Sequence, residues 1–265
     1  MERKGIYKLH NGIIKQYWKS EGECSDIFNE KYLFGSNYNQ DNEILTIMFY
    51  NRLSREKLWQ QNCKNTRFAC GHLFLSDTNL TYIDNINLET GKSEWILDFG
   101  MKVHGDILKH GNTLIIPLNN DHLLGIDAQT GKRLWELEDC FNYYNLEETT
   151  GLLYGYGGER FEIIDAVKGE KVFQKQFDGS MDKYKISVSQ HMSTLHGNGL
   201  YFTSNKQQIK FGKVNIRTSE IEFVQDLIED KERIGRTNAS KPRFHNGRLY
   251  ILDSVGTLHI FEEEM

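Results

Sequence analysis

The chain has 265 residues, enough to bury a large core, and carries a net charge of −5 from 32 basic and 37 acidic side chains. No Lys/Arg cluster stands out, so the electrostatic footprint of a nucleic-acid partner is missing. Two prolines, Pro117 and Pro242, stand against 23 glycines, a balance that suits many strands joined by tight turns.

From the N-terminus, "MERKGIYKLHNGIIKQYWKS" has no apolar run of signal-peptide length, and no later segment reaches transmembrane length. The expectation is a cytoplasmic protein without membrane contact. Cys24, Cys63, Cys70 and Cys140 show no C-x-x-C spacing and read as free thiols, with Cys63 and Cys70 flanking one connection.

A repeat then runs through the chain. "NGIIKQYW" ends on Trp18, "YNRLSREKLW" on Trp59, "INLETGKSEW" on Trp95 and "IDAQTGKRLW" on Trp135. "IDAVKGEKVF" and "VNIRTSEIEF" place Phe173 and Phe223 at the tryptophan position. Ahead of each turn lies an apolar run, "GHLFLS", "NTLIIPL", "GLLYGY", "GLYFTS" or "GRLYILD", which reads as a buried inner strand. A period of about 40 residues with four short strands per unit is what propeller blades require.

The turn chemistry is local. Gly91, Gly131 and Gly169 occupy the position where a bulged hairpin loop needs positive φ. Asn87 or Asp127 at the loop entry can accept hydrogen bonds from the turn's own amides. Trp135 has a large apolar face to bury between blades, and Gly125 leaves space for its ring. Arg55 and Ser219 replace the glycine in two copies, where the loop must differ or carry strain.

In Gly125, Asp127, Thr130, Gly131, Lys132 and Trp135, with Gly125 in place of the alanine, the chain resembles the repeat of the pyrroloquinoline-quinone (quinoprotein) type β-propellers, A-x-D-x-x-T-G-K-x-x-W. Asn87, Thr90, Gly91, Lys92 and Trp95 form a second match. The resemblance implies an all-β fold, a single β-propeller over residues 1–265 with six four-stranded blades. The N- and C-terminal strands would share the last blade, removing an exposed edge. Residues 5–9 leave one strand more than that count needs, so a fifth outer strand or a seventh blade is the alternative. The quinoprotein dehydrogenases are longer, with eight blades, calcium ligands and a platform for the quinone. No such ligand set is recognisable here, so a non-catalytic member without cofactor is expected.

Three histidines, His110, His196 and His245, recur ahead of inner strands, where they would either converge on a metal or serve turn geometry. His104 and Asp106 in "VHGDIL" read as an i, i+2 pair on one side of a strand. "GYGGER" lacks the Lys-Ser/Thr of a phosphate loop and reads as a tight connection.

Irregularity concentrates in the connections from an outer strand to the next inner strand, 138–145, 177–185 and 227–236, and in the loop 36–43, all expected on one face. There, aromatic and charged residues (Tyr38, Asp41, Tyr143, Tyr144, Met181, Asp182, Tyr184 and Arg233) form the candidate partner-binding set. The competing reading packs several of these rings inward beneath their loops. The expected function is a non-catalytic protein-binding propeller, of the kind suited to an immunity protein that masks a bacterial toxin. The alternative is a small hydrolase or lyase with a site at the channel mouth, holding a metal at the histidines. A third reading, the outer-membrane assembly lipoprotein that shares this repeat, is disfavoured because no signal sequence precedes Cys24.

Overall fold

The computed structural model describes residues 6–10, 13–18, 23–27, 30–204, 209–227 and 238–262. They cluster into two compact units, Met1–Val103 with Gln129–Gly131, and His104–Ala128 with Lys132–Met265.

The first unit holds an antiparallel hairpin of β1 (Ile6–His10) and β2 (Ile13–Trp18) and two four-stranded meanders. These are β3 (Glu23–Ile27), β4 (Tyr32–Asn39), β5 (Ile44–Asn51) and β6 (Lys57–Cys63), followed by β7 (Asn65–Ala69), β8 (His72–Ser76), β9 (Tyr82–Ile86) and β10 (Ser93–Asp98).

The second unit holds three more four-stranded meanders. The first is β11 (Leu108–His110), β12 (Thr113–Leu118), β13 (His122–Asp127) and β14 (Arg133–Leu137). The next is β15 (Asn145–Glu147), β16 (Leu152–Gly157), β17 (Arg160–Asp165) and β18 (Glu170–Gln176). The third comprises β19 (Ser193–His196), β20 (Gly199–Ser204), β21 (Lys210–Asn215) and β22 (Glu220–Asp226), with a short helix α1 (Ser180–Tyr184) ahead of it. A last sheet of three strands joins β23 (Arg243–His245), β24 (Arg248–Leu252) and β25 (Leu258–Glu262). Among the described residues no helix is long and apolar enough to cross a membrane.

Two sequence expectations change. The Trp18 strand is hydrogen-bonded to β1, made from the surplus N-terminal residues, and the described ladder of β23–β25 stops at three strands. The apolar runs form the second strand of their sheets, each preceded at the sheet edge by a strand no longer than itself. Their burial is nonetheless as expected: every residue of β12 and of β20 is buried.

The turn between third and fourth strands is one design used repeatedly. The Asn87 side chain accepts from the Glu89 and Thr90 amides at 3.1 and 3.0 Å, and its carbonyl accepts from Gly91 N–H at 2.8 Å. Asn51, Asp165 and Asn215 repeat both features. Arg55 and Ser219 keep this loop at φ 62° and 56°, the strained solution foreseen for residues in the glycine place.

A register shift follows in all five four-stranded sheets, bringing the aromatic opposite the third strand. Trp59 stacks on Phe49 at 4.7 Å, and its indole N–H donates to the Leu88 carbonyl at 2.8 Å. Trp135 lies over Gly125 and reaches the Gly169 turn of the following sheet, donating to the Ala166 carbonyl at 3.2 Å. The aromatic is thus the docking wedge between consecutive sheets.

The described cysteines are free thiols: Cys70 is exposed, Cys63 half-buried and Cys140 buried. Burial pushes the Cys63 and Cys140 thiols up to about 11, so both stay protonated near pH 8. An aromatic disulfide reagent at pH 8 should label Cys70 well before these two, read by peptide mass spectrometry. Equal labelling of Cys140 in the native protein would contradict its burial.

Candidate protein-binding face

In the second unit, three connections run from a fourth strand, or from the unit's start, into the first strand of the next sheet. Their residues meet one another. Segment 104–107 leads into β11, segment 138–144 into β15, and segment 177–192 into β19.

The first is held by the His104 N–H, which donates to the Pro117 carbonyl at 2.9 Å. It turns at Gly105, with φ +91°, where an added Cβ would stand 1.9 Å from the Asn142 carbonyl oxygen. "VHGDIL" is therefore a turn entering a three-residue strand, and the i, i+2 reading of His104 with Asp106 fails. The second connection begins with Asp139 at positive φ and buries Cys140 and Phe141. The Asn142 N–H crosses to the Gln190 side chain at 2.8 Å, tying it to the third connection.

Between these tethers Tyr143 projects half-buried. Its ring lies 5.9 Å from the exposed His104 ring and 5.5 Å from the exposed His191 ring, centroid to centroid. Three consecutive connections thus place one aromatic ring each in a continuous row at the surface.

The row rests on a buried anchor. Glu162 on β17 is fully buried, and one carboxylate oxygen accepts from the Tyr144 hydroxyl and from the Phe141 N–H at 3.1 Å. The Arg160 Nε stands 3.6 Å from its other oxygen, and the guanidinium covers the Phe141 ring at 4.3 Å. Arg160 also pairs with Asp139 at 2.6 Å, holding that carboxyl below its ordinary range. Burial first, and the Glu162 charge next, push the Tyr144 phenol far above its usual range.

Tyr144 therefore cannot contact a partner; it is a core residue bonded to Glu162. Tyr184 is half-buried against the core cluster around Tyr156 and Phe161, with the Lys183 ammonium 4.8 Å from its ring centroid. Met181 is half-buried and Asp182 exposed, both on α1. Tyr143 alone among the second unit's predicted rings joins the row. In the first unit, Tyr38 is 52% exposed and Asp41 is exposed in the β4–β5 turn. Arg233 lies outside the described residues. Sequence reasoning missed His191 and Gln190 altogether, and Glu162 as well.

The recurrent histidines have separate duties. The His110 ring fills the space above Gly151, and His196 stacks on Phe244 at 4.1 Å and 8°. His245 ends β23, exposed. Among the described residues no group of three or more His, Cys, Asp or Glu side chains is arranged to hold a metal.

Known structures share this architecture. BamB from Moraxella catarrhalis superposes with a TM-score of 0.55 at 13% identity, covering 88% of this chain and 83% of that one. Saccharomyces cerevisiae Sqt1 gives 0.59 at 12%, covering 98% and 78%. A europium-containing methanol dehydrogenase gives 0.51 at 10%, covering 76% of this chain and 50% of the enzyme. No family model matches the chain, and no curated protein matches it by sequence. At such identities the likeness shows the fold alone: the chain is an all-β protein of the β-propeller class.

Proposed function

We propose that this chain is a non-catalytic propeller of the quinoprotein repeat type that binds another protein through the face carrying its strand-to-strand connections. The observation that carries the proposal is the row His104, Tyr143 and His191. Three aromatic rings from three connections lie side by side, partly exposed, on a rigid base. Aromatic anchors fixed by packing lose little entropy on binding, which is why they dominate interface energetics. Asp182, exposed beside half-buried Met181 and Tyr184 on α1, belongs to the charged rim of the same face, a rim that steers encounter.

The finer form of the proposal makes the partner a bacterial toxin and this chain its cytoplasmic antagonist. Masking a toxin demands a stable surface and no chemistry, both of which a propeller of this kind offers.

The test is capture of the partner from the native cell, followed by affinity measurements on single alanine variants at positions 104, 143 and 191. Tyr143→Ala should weaken the complex by about 1–2 kcal/mol, and each histidine change by a smaller amount, with thermal melts unchanged. Full affinity in all three variants would move the binding surface elsewhere. Co-expression with the captured partner tests the antagonist role: rescue of growth supports it, and a harmless partner removes it.

A further inference from the structure

The β19–β22 and β23–β25 sheets belong to the same unit and pack through one cluster that includes buried Tyr201, Phe211 and Leu249. Two ring pairs bridge them: Phe211 with Phe261 at 4.4 Å, and Tyr201 with Phe244 at 4.7 Å and 60°. Beside these pairs lies a cleft of about 540 Å³, lined by both sheets. The buried residues form its floor and half-buried Phe223, Phe244 and Phe261 its walls, while exposed Gln225 and Glu262 stand at the mouth.

The repeat explains why the space is there. At earlier junctions the wedge is a tryptophan covered by a turn of the following sheet: Trp59 lies against Gly91, and Trp135 against Gly169. Here the wedge is Phe223, one ring smaller, opposite Lys213 of the third strand. Among the described residues no further turn and strand follow β25 to close over it. The Phe223 ring is braced edge-on by Phe211 at 5.7 Å and 79°, and its outer side faces the cleft. The cleft thus lies where other junctions hold the outer part of an indole and its covering turn.

The lining selects by chemistry. Its interior is aromatic, and the charges at its rim are already paired, Lys213 with Glu222 at 2.9 Å and Glu262 with Arg248 at 2.7 Å. A charged guest would find no counter-charge without breaking one of these pairs. A flat ring, by contrast, meets faces and edges that ring pairs prefer, in a space of the size small-molecule sites have. We infer that this cleft binds an uncharged planar aromatic molecule of one or two fused rings, its polar edge turned toward Gln225. The cleft shares no residue with the row of His104, Tyr143 and His191, so the inference stands independently of the protein-binding reading.

Indole is the probe and cyclohexanol, apolar but puckered, the control, each titrated into the full chain and followed by ligand-observed NMR. Indole should bind with a Kd on the order of 0.1–1 mM, the range open to so small a ligand. Phe223→Trp places the repeat's own ring in the space and should weaken indole binding about tenfold or more. Gln225→Trp obstructs the mouth from an exposed position and should do the same, with a melt like the parent's. Tyr143→Ala should leave indole binding unchanged. Failure of indole to bind, binding to both tryptophan variants as tight as to the parent, or cyclohexanol binding as tight as indole's overturns the inference.

Discussion

Trp135→Ala should lower the free energy of unfolding by about 3 kcal/mol, the lower end of the range for truncating a packed tryptophan, because the ring is half-buried against the core around Phe141 and Ile164. Two glycines leave the room that the ring occupies. A Cβ on Gly125 would fall 2.1 Å from its Cε2, and one on Gly169 would fall 2.2 Å from its Cγ. The indole N–H also leaves the Ala166 carbonyl without its donor. Urea melts of variant and parent measure the difference. A loss under about 1 kcal/mol would mean that the ring contributes nothing between the two sheets. Phe173→Ala is the internal comparison: the same place in the repeat, but 38% exposed, so it should cost clearly less.

That contrast also shows which information the sequence carries. The Asx turn, the positive-φ position and the aromatic wedge are all set within about ten residues, so their recurrence is visible as a pattern. The first strand of each sheet is not. Leu108–His110, Asn145–Glu147 and Arg243–His245 are three residues long, too short to display alternation, and exist because the second strand offers a hydrogen-bonding edge. For that reason the neighbouring runs read as inner strands in the sequence.

The site was legible only as a region. That connections carry binding residues follows from their freedom to vary. Which ring points outward depends on residues far away in the chain. Tyr143 and Tyr144 are adjacent and chemically identical, yet Glu162, eighteen residues further on, takes one hydroxyl inward and leaves the other ring at the surface. A lone glutamate in "RFEIID" gives no hint of that role, because the alternating apolar pattern of β17 reads it as a solvated position.

Glu162→Ala should be the other severe change, costing about 3–5 kcal/mol, as expected when one partner of a buried charged network is removed. The substitution strands the Tyr144 hydroxyl and removes the side-chain acceptor of the Phe141 N–H in a region without water access. It also deprives Arg160 of its nearest buried counter-charge while the exposed Asp139 remains. Tyr144→Phe removes only the hydroxyl and leaves the Phe141 contact, so it should cost about 1–2 kcal/mol. The order of the two losses matters more than their size. Were Tyr144→Phe as damaging as Glu162→Ala, the phenol rather than the carboxylate would be the anchor. Hydrogen exchange supplies the link to function. The Asn142 amide is bonded to Gln190 and flanked by the Glu162 contacts, so Glu162→Gln should speed exchange in peptides spanning 140–144 while leaving those of β12 protected. A loosened connection lets Tyr143 swing away from His104 and His191, and partner affinity should fall with it although no contact residue has changed. If Glu162→Gln exchanges like the parent and still binds fully, the row of rings is held by the surface contacts themselves and the buried anchor is dispensable.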